Sequence, residues 1–580
     1  MPYDIIIGRD EADKKRFGKK GLVYIGKGFV KMGQYTSLSN HIYLDVARSH
    51  VILVAGKRGC LQGDSMVFTD KGYKKISEFD EKGDKILSFN KDERIFEWET
   101  AELLRYPITK ENLLKVTLQD GRAITLTKEH PLLTATGNKL LSLLYVNANK
   151  LKVGDNILSV GKSNEDLIPL SIKQIEEVQG INEVYDLSVN KNHSFIANGI
   201  ISHNSGKSYS IGIIAEELSN LPEEERQNIA PLIFDTMGIF WTMKFKNDKE
   251  KELLKQWDLK PEKLPCRVFV PAGYFQEYEK RGIPVDEKFA IKPSELDIED
   301  WIITFNLGMI DPVAVLIEKV ILELKEEKED FDIDDIIKEL LQERTNEDTK
   351  HAAISLFEAA QSWKVFSEKG AKGLEIDELI KAGETTILDL SPYSSIGTFN
   401  VRALVIGLVS KKLFNQRMMS RKAEEVQAVK HGEDYLSFSQ KREMPLVWLF
   451  IDESHEFIGK EKTAATDALI QLLREGRQPG ISMVMATQQP GQLHHDAMTQ
   501  SDIVISHRVT AKPDIDALNE IMQSYLTDSI RKYLDDLPSL KGSAIILDDN
   551  SERIYPMRVR PRFTWHGGEA PTAVKVEKRI

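Results

Sequence analysis

The chain has 580 residues, 41% hydrophobic and 29% charged, with a net charge of −12; this places it among soluble globular proteins of three or four domains and excludes a fibrous or wholly disordered chain. Only two cysteines occur, Cys60 and Cys266, so neither a disulfide framework nor a cysteine-based zinc site is expected, and the acidic balance argues against a protein that coats nucleic acid. The longest apolar runs, such as 446–451, fall far short of the roughly 20 residues of a membrane span, and the N-terminus lacks a signal-peptide layout; a cytoplasmic protein without membrane attachment is the expectation.

In chain order, residues 1–59 read as a short β segment and a core strand, "VILVA", that feeds Gly56-Lys57-Arg58-Gly59. These four look like the first half of a phosphate-binding loop, which stops at Cys60. Residues 60–204, about 145 positions, change character: short alternating runs such as "KILSFN", "LLKVTL" and "RAITLT" are separated by Gly, Asn and Asp turn signals, which predicts an all-β module. Ser205-Gly206-Lys207-Ser208 then resembles the second half of the same loop, and Ile211, Ile214, Ala215 and Leu218 follow at helical spacing. Deleting 60–204 joins Gly59 to Ser205 and restores an intact G-x-x-x-x-G-K-S in a host of about 435 residues.

Such a loop cradles phosphates with its backbone N–H groups (Gly56, Lys57, Arg58, Gly59, Ser205 and Gly206), reaches the β- and γ-phosphates with Lys207 and binds Mg²⁺ through Ser208. Further along, Asp235 closes a strand in "LIFDTMGIF", and 245–380 is irregular and partly helical, with "IIKELLQER" and "HAAISLFEAAQSW"; it reads as an inserted lid or subdomain. Within it Cys266 reads as a buried apolar residue starting a strand. Lys411, Lys412, Arg417, Arg421 and Lys422 cluster on one predicted helix, a solvated helix end in preference to a DNA contact. "LVWLFIDESHEF" supplies the second half of a nucleotide site, with Asp452 placed for the Mg²⁺ shell and Glu453 to orient and deprotonate the attacking water.

The boundaries of 60–204 carry their own chemistry. The segment opens on "CLQGDSMVFT", holds Thr127-x-x-His130 in "GRAITLTKEHPLLT", and ends "VYDLSVNKNHSFIANGIISHN" before Ser205. It resembles an intein, specifically a mini-intein of the Hint fold without a homing endonuclease. A thiolate is a strong nucleophile, so the Cys60 sulfur attacks the Gly59 carbonyl and converts the amide into a thioester. The resemblance implies that Thr127 and His130 hydrogen-bond the scissile bond and protonate the leaving nitrogen, with Asp186 as a nearby proton acceptor. Ser205 hydroxyl then takes the acyl group, Asn204 cyclises with help from His203, and the ester rearranges to a Gly59–Ser205 peptide bond. His193 resembles a proton-handling helper.

The host, an α/β P-loop NTPase of RecA-like type, resembles the HerA/FtsK superfamily through "LLREGRQPGISMVMATQQPGQL", "SDIVISHRVT" and the tail "VRPRFTWHGG" at about 555–580. The resemblance implies an ATP- and Mg²⁺-dependent homohexameric ring that moves DNA. Gln488 would sense the γ-phosphate, and Arg477 and Arg508 are candidates for a finger reaching a neighbouring subunit's nucleotide. Two departures stand out: Gln489 occupies a position where relatives often carry Arg, and only about 45 residues precede the core strand, too few for the full N-terminal barrel that would support a nuclease partner. The second reading is a related ATPase acting on protein or in defence or signalling without DNA pumping.

Overall fold

Runs of aliphatic residues without polar alternation suit strands covered on both faces, and the host is built on several of them. The computed structural model describes residues 4–32, 35–56, 61–80, 83–90, 95–99, 101–107, 113–127, 130–135, 143–148, 151–161, 167–178, 183–189, 194–203, 207–395, 400–431, 444–507, 509, 512–522, 530–538 and 542–566. The chain divides into two compact units, 1–55 with 207–505 and 546–566, and 56–206 with 506–545 and 567–580. Among the described residues no helix is long and apolar enough to cross a membrane.

The first unit is α/β. Its core strands are β1 (Val51–Ala55), β2 (Ile229–Asp235), β3 (Cys266–Pro271), β4 (Thr385–Asp389), β5 (Leu446–Ile451) and β6 (Ile481–Thr487). They lie side by side in the order β1-β6-β5-β2-β4-β3, all parallel. Every residue of β1, β2, β4 and β6 is buried. The hairpin of Leu22–Met32 and Tyr35–Asp45, with Arg553–Val559 paired to it, belongs to the same sheet, which has thirteen strands among the described residues. Helix α1 (Lys207–Ser219) packs on β1, β2 and β6, and Ile211, Ile214, Ala215 and Leu218 are buried as their spacing predicts.

Two expectations change in this unit. Cys266 is buried and opens β3, but β3 pairs with β4, so part of 245–380 belongs to the core sheet. The added helices are Pro312–Glu327, Ile333–Gln342 and Glu347–Gln361, which pack on one another. The second change is the basic helix, α2 (Val401–His431). Most of its cations are drawn into pairs rather than presented as a patch: Lys411 pairs with Asp297 and Asp300, Lys412 with Glu295, and Arg421 with Glu425, while Lys422 is exposed. Arg417 is buried and donates to the carbonyls of Pro479 and Met444.

The inserted segment is all-β, as its turn signals predict. Among the described residues its strands form one fifteen-stranded antiparallel sheet, thirteen along one path and two paired off it, around a core that includes Leu61, Val116, Leu126, Leu132, Leu187 and Phe195. Its last hairpin shows how local sequence fixes register. Ala197 pairs with Ile200 across Asn198 and Gly199, whose φ angles are +50° and +75°. Positive φ at both loop positions is the two-residue turn that Asn-Gly favours. The Asn198 side chain ties that turn down by accepting from Met66 N at 2.6 Å and donating to Ala123 O at 2.8 Å.

Candidate functional site

In the insert, the sheet register relates the described residues next to the two chain junctions to a single link. Leu61, the residue after Cys60, pairs with Leu126 on one side and Tyr185 on the other. Thr127 and Asp186 are therefore the next residues along the two strands that flank the start of the segment. At the other end, Ser202 pairs with Leu132, and His203 pairs with Ser194. Thr127 to His130 is the short link between the strand that pairs with Leu61 and the strand that pairs with Ser202. His130 N donates to Thr127 O at 3.0 Å and closes that link, and both residues are buried. The spacing Thr-x-x-His thus has a structural meaning: one tight turn joins the neighbours of the two junctions.

Cys60, His193, Asn204 and Ser205 lie outside the described residues, and of Asp186 and His203 only the strand positions are described. The local reason for convergence is topological. An antiparallel sheet sets neighbouring strands about 4.8 Å apart, so the first and last strands of the segment can be neighbours of a single turn.

In the host, the parallel register lines up the ends of adjacent strands. Ala55 lies beside Thr487, Ile451 beside Met485 and Phe234 beside Ile451. Gly56, Gln488, Asp452 and Asp235 therefore sit at neighbouring C-terminal strand ends, where open α/β sheets bind ligands. Asp452 is buried and Gly56 is buried. Lys207 and Ser208 form the first turn of α1, and their side chains, with Lys57, Arg58, Gly59, Gly206 and Arg508, lie outside the described residues.

Glu453 has φ +48° and ψ +45°, a left-handed conformation that costs a non-glycine residue on the order of 1 kcal/mol and is typical of functional turns. It is held there by bonds on several sides. Glu453 N donates to Asp452 Oδ1 at 2.9 Å, Ser454 Oγ donates to Ala486 O at 2.9 Å, and Gln488 Nε2 donates to Glu453 Oε1 at 2.7 Å. The last bond joins two residues singled out from sequence for work on the γ-phosphate.

Sequence reasoning missed the surround. His455 Nδ1 lies 3.5 Å from Glu453 Oε2 and 3.3 Å from Thr487 Oγ1. Glu456 is paired with Arg402 at 2.7 Å; burial raises its pKa, Arg402 opposes this, and the charges of Glu453 and Asp452 add to the rise. The only signal was their place in "DESHEF". A second buried pair ends β2 and β4: Asp235 and Asp389 are register partners, burial raises both carboxyls, and the charge of Asp389 adds to the rise at Asp235. Asp235 accepts from the backbone N–H groups of Ile239 and Phe240 at 3.1 and 2.7 Å, which shapes the turn after β2.

Arg477 falls elsewhere. It precedes β6, at the end of that strand opposite Gln488, where its guanidinium donates to Gln500 O and lies 3.7 Å from Asp502. Within its own chain it takes no part in the strand-end constellation.

Comparison with known proteins agrees with both halves. Residues 66–204 match the intein splicing domain family, and residues 205–409 match the central domain family of the helicase HerA. An uncharacterized protein of Methanocaldococcus jannaschii is 35% identical over 146 residues, 22% of this chain and 19% of that one. The DNA double-strand break repair helicase HerA of Pyrococcus furiosus is 26% identical over 180 residues, 29% of this chain and 31% of that one. The chain thus spans less than a third of the length of these relatives. A DnaB intein structure from Synechocystis is 28% identical with a TM-score of 0.22, covering 26% of this chain and 99% of that one. The chain thus carries, in one polypeptide, a match to the intein splicing domain family followed directly by a match to the central domain family of the helicase HerA.

Proposed function

We propose that the chain is a self-splicing precursor whose mature host is an ATP-driven motor acting on DNA. The observation that carries this reading is the alignment of Gly56, Gln488 and Asp452 at adjacent strand ends, with Gln488 bonded to Glu453, in a chain interrupted between β1 and α1. The residues present suit a magnesium nucleotide. A buried carboxylate at Asp452 and a hydroxyl at Ser208 are hard oxygen donors, and a metal bound there would neutralise charge developing on the phosphates. Lys207 and the loop amides would bind the phosphates. Glu453, oriented by Gln488, would accept the proton of the attacking water.

Splicing would precede this activity. Cys60 takes the acyl group of Gly59 as a thioester, and Ser205 takes it in turn as an ester, returning the Cys60 thiol. Asn204 cleaves its own peptide bond by cyclising, and the freed Ser205 amine attacks the ester to form the amide. Thr127 and His130, one turn between the neighbours of both junctions, support proton transfer at each end. The RecA-like class, the homohexamer and the arginine finger, with Arg477 and Arg508 as its candidates, belong to this proposal.

The test compares the unmutated chain with Cys60→Ala plus Asn204→Ala. Mass spectrometry is expected to show a host of about 435 residues and a free insert of about 145 only from the unmutated chain. The spliced host is expected to hydrolyse ATP, with stimulation by DNA that falls steeply with salt. A chain that stays full length defeats the splicing reading. Assembled spliced protein whose ATPase ignores DNA favours the reading of an ATPase without DNA pumping.

A further inference from the structure

The C-terminal segment carries two arginines that neither half-site uses. Arg560 and Arg562 are each 0% exposed, as is Glu216 on α1. Arg560 Nη1 donates to Glu216 Oε2 at 2.9 Å and Arg562 Nε to Oε1 at 3.2 Å. The N–H groups of Phe563 and Thr564 donate to the same carboxylate at 3.3 and 3.1 Å, and the Thr564 hydroxyl adds another bond. Arg560 Nε also meets Glu217 Oε1 at 2.8 Å, while Glu217 Oε2 accepts from Tyr24 N at 3.1 Å. Two buried cations thus balance two carboxylates.

The contacts continue along α1 toward the phosphate loop. At Gly212 the Arg562 guanidinium lies against the helix so closely that a Cβ would stand 2.6 Å from its Cζ. Nearer still, Tyr209 accepts from Arg562 N at 2.8 Å through its hydroxyl, and its ring meets His566 edge-on at 5.4 Å. Arg562 Nη1 donates to His566 Nδ1 at 3.0 Å. Tyr209, Gly212 and Glu216 share one helix face. Tyr209 follows Ser208 directly.

A network of this kind adds little net stability over apolar packing, because desolvation offsets the attraction, but it holds one geometry. Such a device suits this chain, because α1 is separated from β1 in sequence by the whole insert and its exact placement rests on contacts made by the helix itself. We propose that the tail is a clamp that fixes the position of α1 before and after splicing, with Glu216, Arg560 and Arg562 as positioning residues for Lys207 and Ser208. The proposal rests on the ATPase reading above. A helix transmits a shift along its axis, so a displaced α1 would carry Lys207 and Ser208 away from the nucleotide and weaken its binding.

The test uses the spliced host and the splicing-blocked full chain carrying Cys60→Ala and Asn204→Ala. Each carries Arg562→Ala, Arg562→Lys or Gly212→Ala, or the control Leu324→Ala, a core cavity in the helical subdomain. Arg562→Ala and Gly212→Ala are expected to raise KM for ATP at least fivefold with kcat within threefold, and to speed hydrogen exchange across 208–219 in both preparations. Arg562→Lys is expected to fall between, since it retains a charge and loses the fork. Leu324→Ala is expected to lower the melting temperature and leave KM in place. If Arg562→Ala moves KM no more than Leu324→Ala, or leaves α1 exchange unchanged, the clamp is overturned. Should Arg562→Ala be insoluble, Gly212→Ala decides. If the spliced wild-type host lacks ATPase activity, the motor reading fails, and exchange across α1 in the blocked chain still decides the clamp.

Discussion

Placing a folded domain inside a phosphate loop is expected to cost the host little stability and nearly all of its nucleotide binding. Treated as flexible chain, an insert of about 145 residues raises the loop-closure cost to about 4 kcal/mol by (3/2)RT ln n. The insert is not flexible chain. Leu61 pairs with Leu126, Ser202 pairs with Leu132, and only Thr127 to His130 separates those partner strands, so the guest holds its own ends together. With the ends so held, the loop left to close is only a handful of residues, for which the same rule gives about 2 kcal/mol. Binding suffers differently. Losing two charge-assisted phosphate bonds from loop amides removes at least about 3 kcal/mol, or more than a hundredfold in affinity.

The assay compares the spliced host with the chain blocked by Cys60→Ala and Asn204→Ala. Native-state hydrogen exchange of the β5 and β6 amides reports host opening, and a fluorescent ATP analogue reports binding. The expected result is an opening free energy within about 2 kcal/mol between the two forms and an affinity at least a hundredfold lower in the blocked chain. Binding within tenfold, or a host destabilised by more than about 4 kcal/mol, would refute the reasoning.

Glu453→Gln in the spliced host is expected to lower ATP turnover by about 10²- to 10⁴-fold while analogue binding persists, and Gln488→Ala, which removes the 2.7 Å bond to Glu453, to lower it less. His50 is buried, which lowers its pKa, but hydrogen bonds and charge from Asp45 and Asp502 outweigh this and raise it to about 9. A raised pKa gives stability that is full below about pH 6.5 and lost as pH climbs through about 9, worth about 3 kcal/mol. Urea midpoints of the spliced host at pH 6 and 9.5 are expected to differ more than those of His50→Gln. In the insert, Gly199→Val forces a branched side chain into φ +75°, with its Cβ 2.8 Å from Arg122 Nη1. Precursor is expected to accumulate on gels, with splicing slowed in proportion to a strain on the order of 2 kcal/mol.

What could be read from the sequence was local chemistry, and what could not was distance. The all-β run of the insert and the carboxylates after an apolar strand are contiguous patterns, and the expected Cys60 and Asn204 boundaries and restored loop rest on patterns of the same kind. The meaning of Thr127-x-x-His130 is not, because it depends on Leu126 finding Leu61 and Leu132 finding Ser202. The basic run of α2 misled for the same reason: the partners of Lys411, Asp297 and Asp300, lie more than a hundred residues upstream. Arg560 and Arg562 stood out as a motif, yet their partner Glu216 is 344 residues from Arg560. Likewise Cys266 read correctly as the start of a strand, while that strand's place beside β4 needed the fold.

The junction residues must satisfy two chemistries, and Ser205 separates them. On the proposed splicing route its side chain would be the nucleophile that receives the acyl group, so the hydroxyl would be required. In the mature loop it occupies a variable position of G-x-x-x-x-G-K-S, where the phosphate is held by backbone N–H. On these proposed roles splicing, not ATP binding, would fix the residue type at 205. A gene lacking 60–204 and carrying Ser205→Ala is expected to give a host with ATPase activity within threefold of the spliced protein. The same substitution in the full chain is expected to abolish the ligated product by mass spectrometry, whereas Ser205→Cys, a better nucleophile, retains it. A tenfold loss of ATPase activity in the directly made Ser205→Ala host would show that the loop needs the hydroxyl and that the two chemistries cannot be separated at this residue.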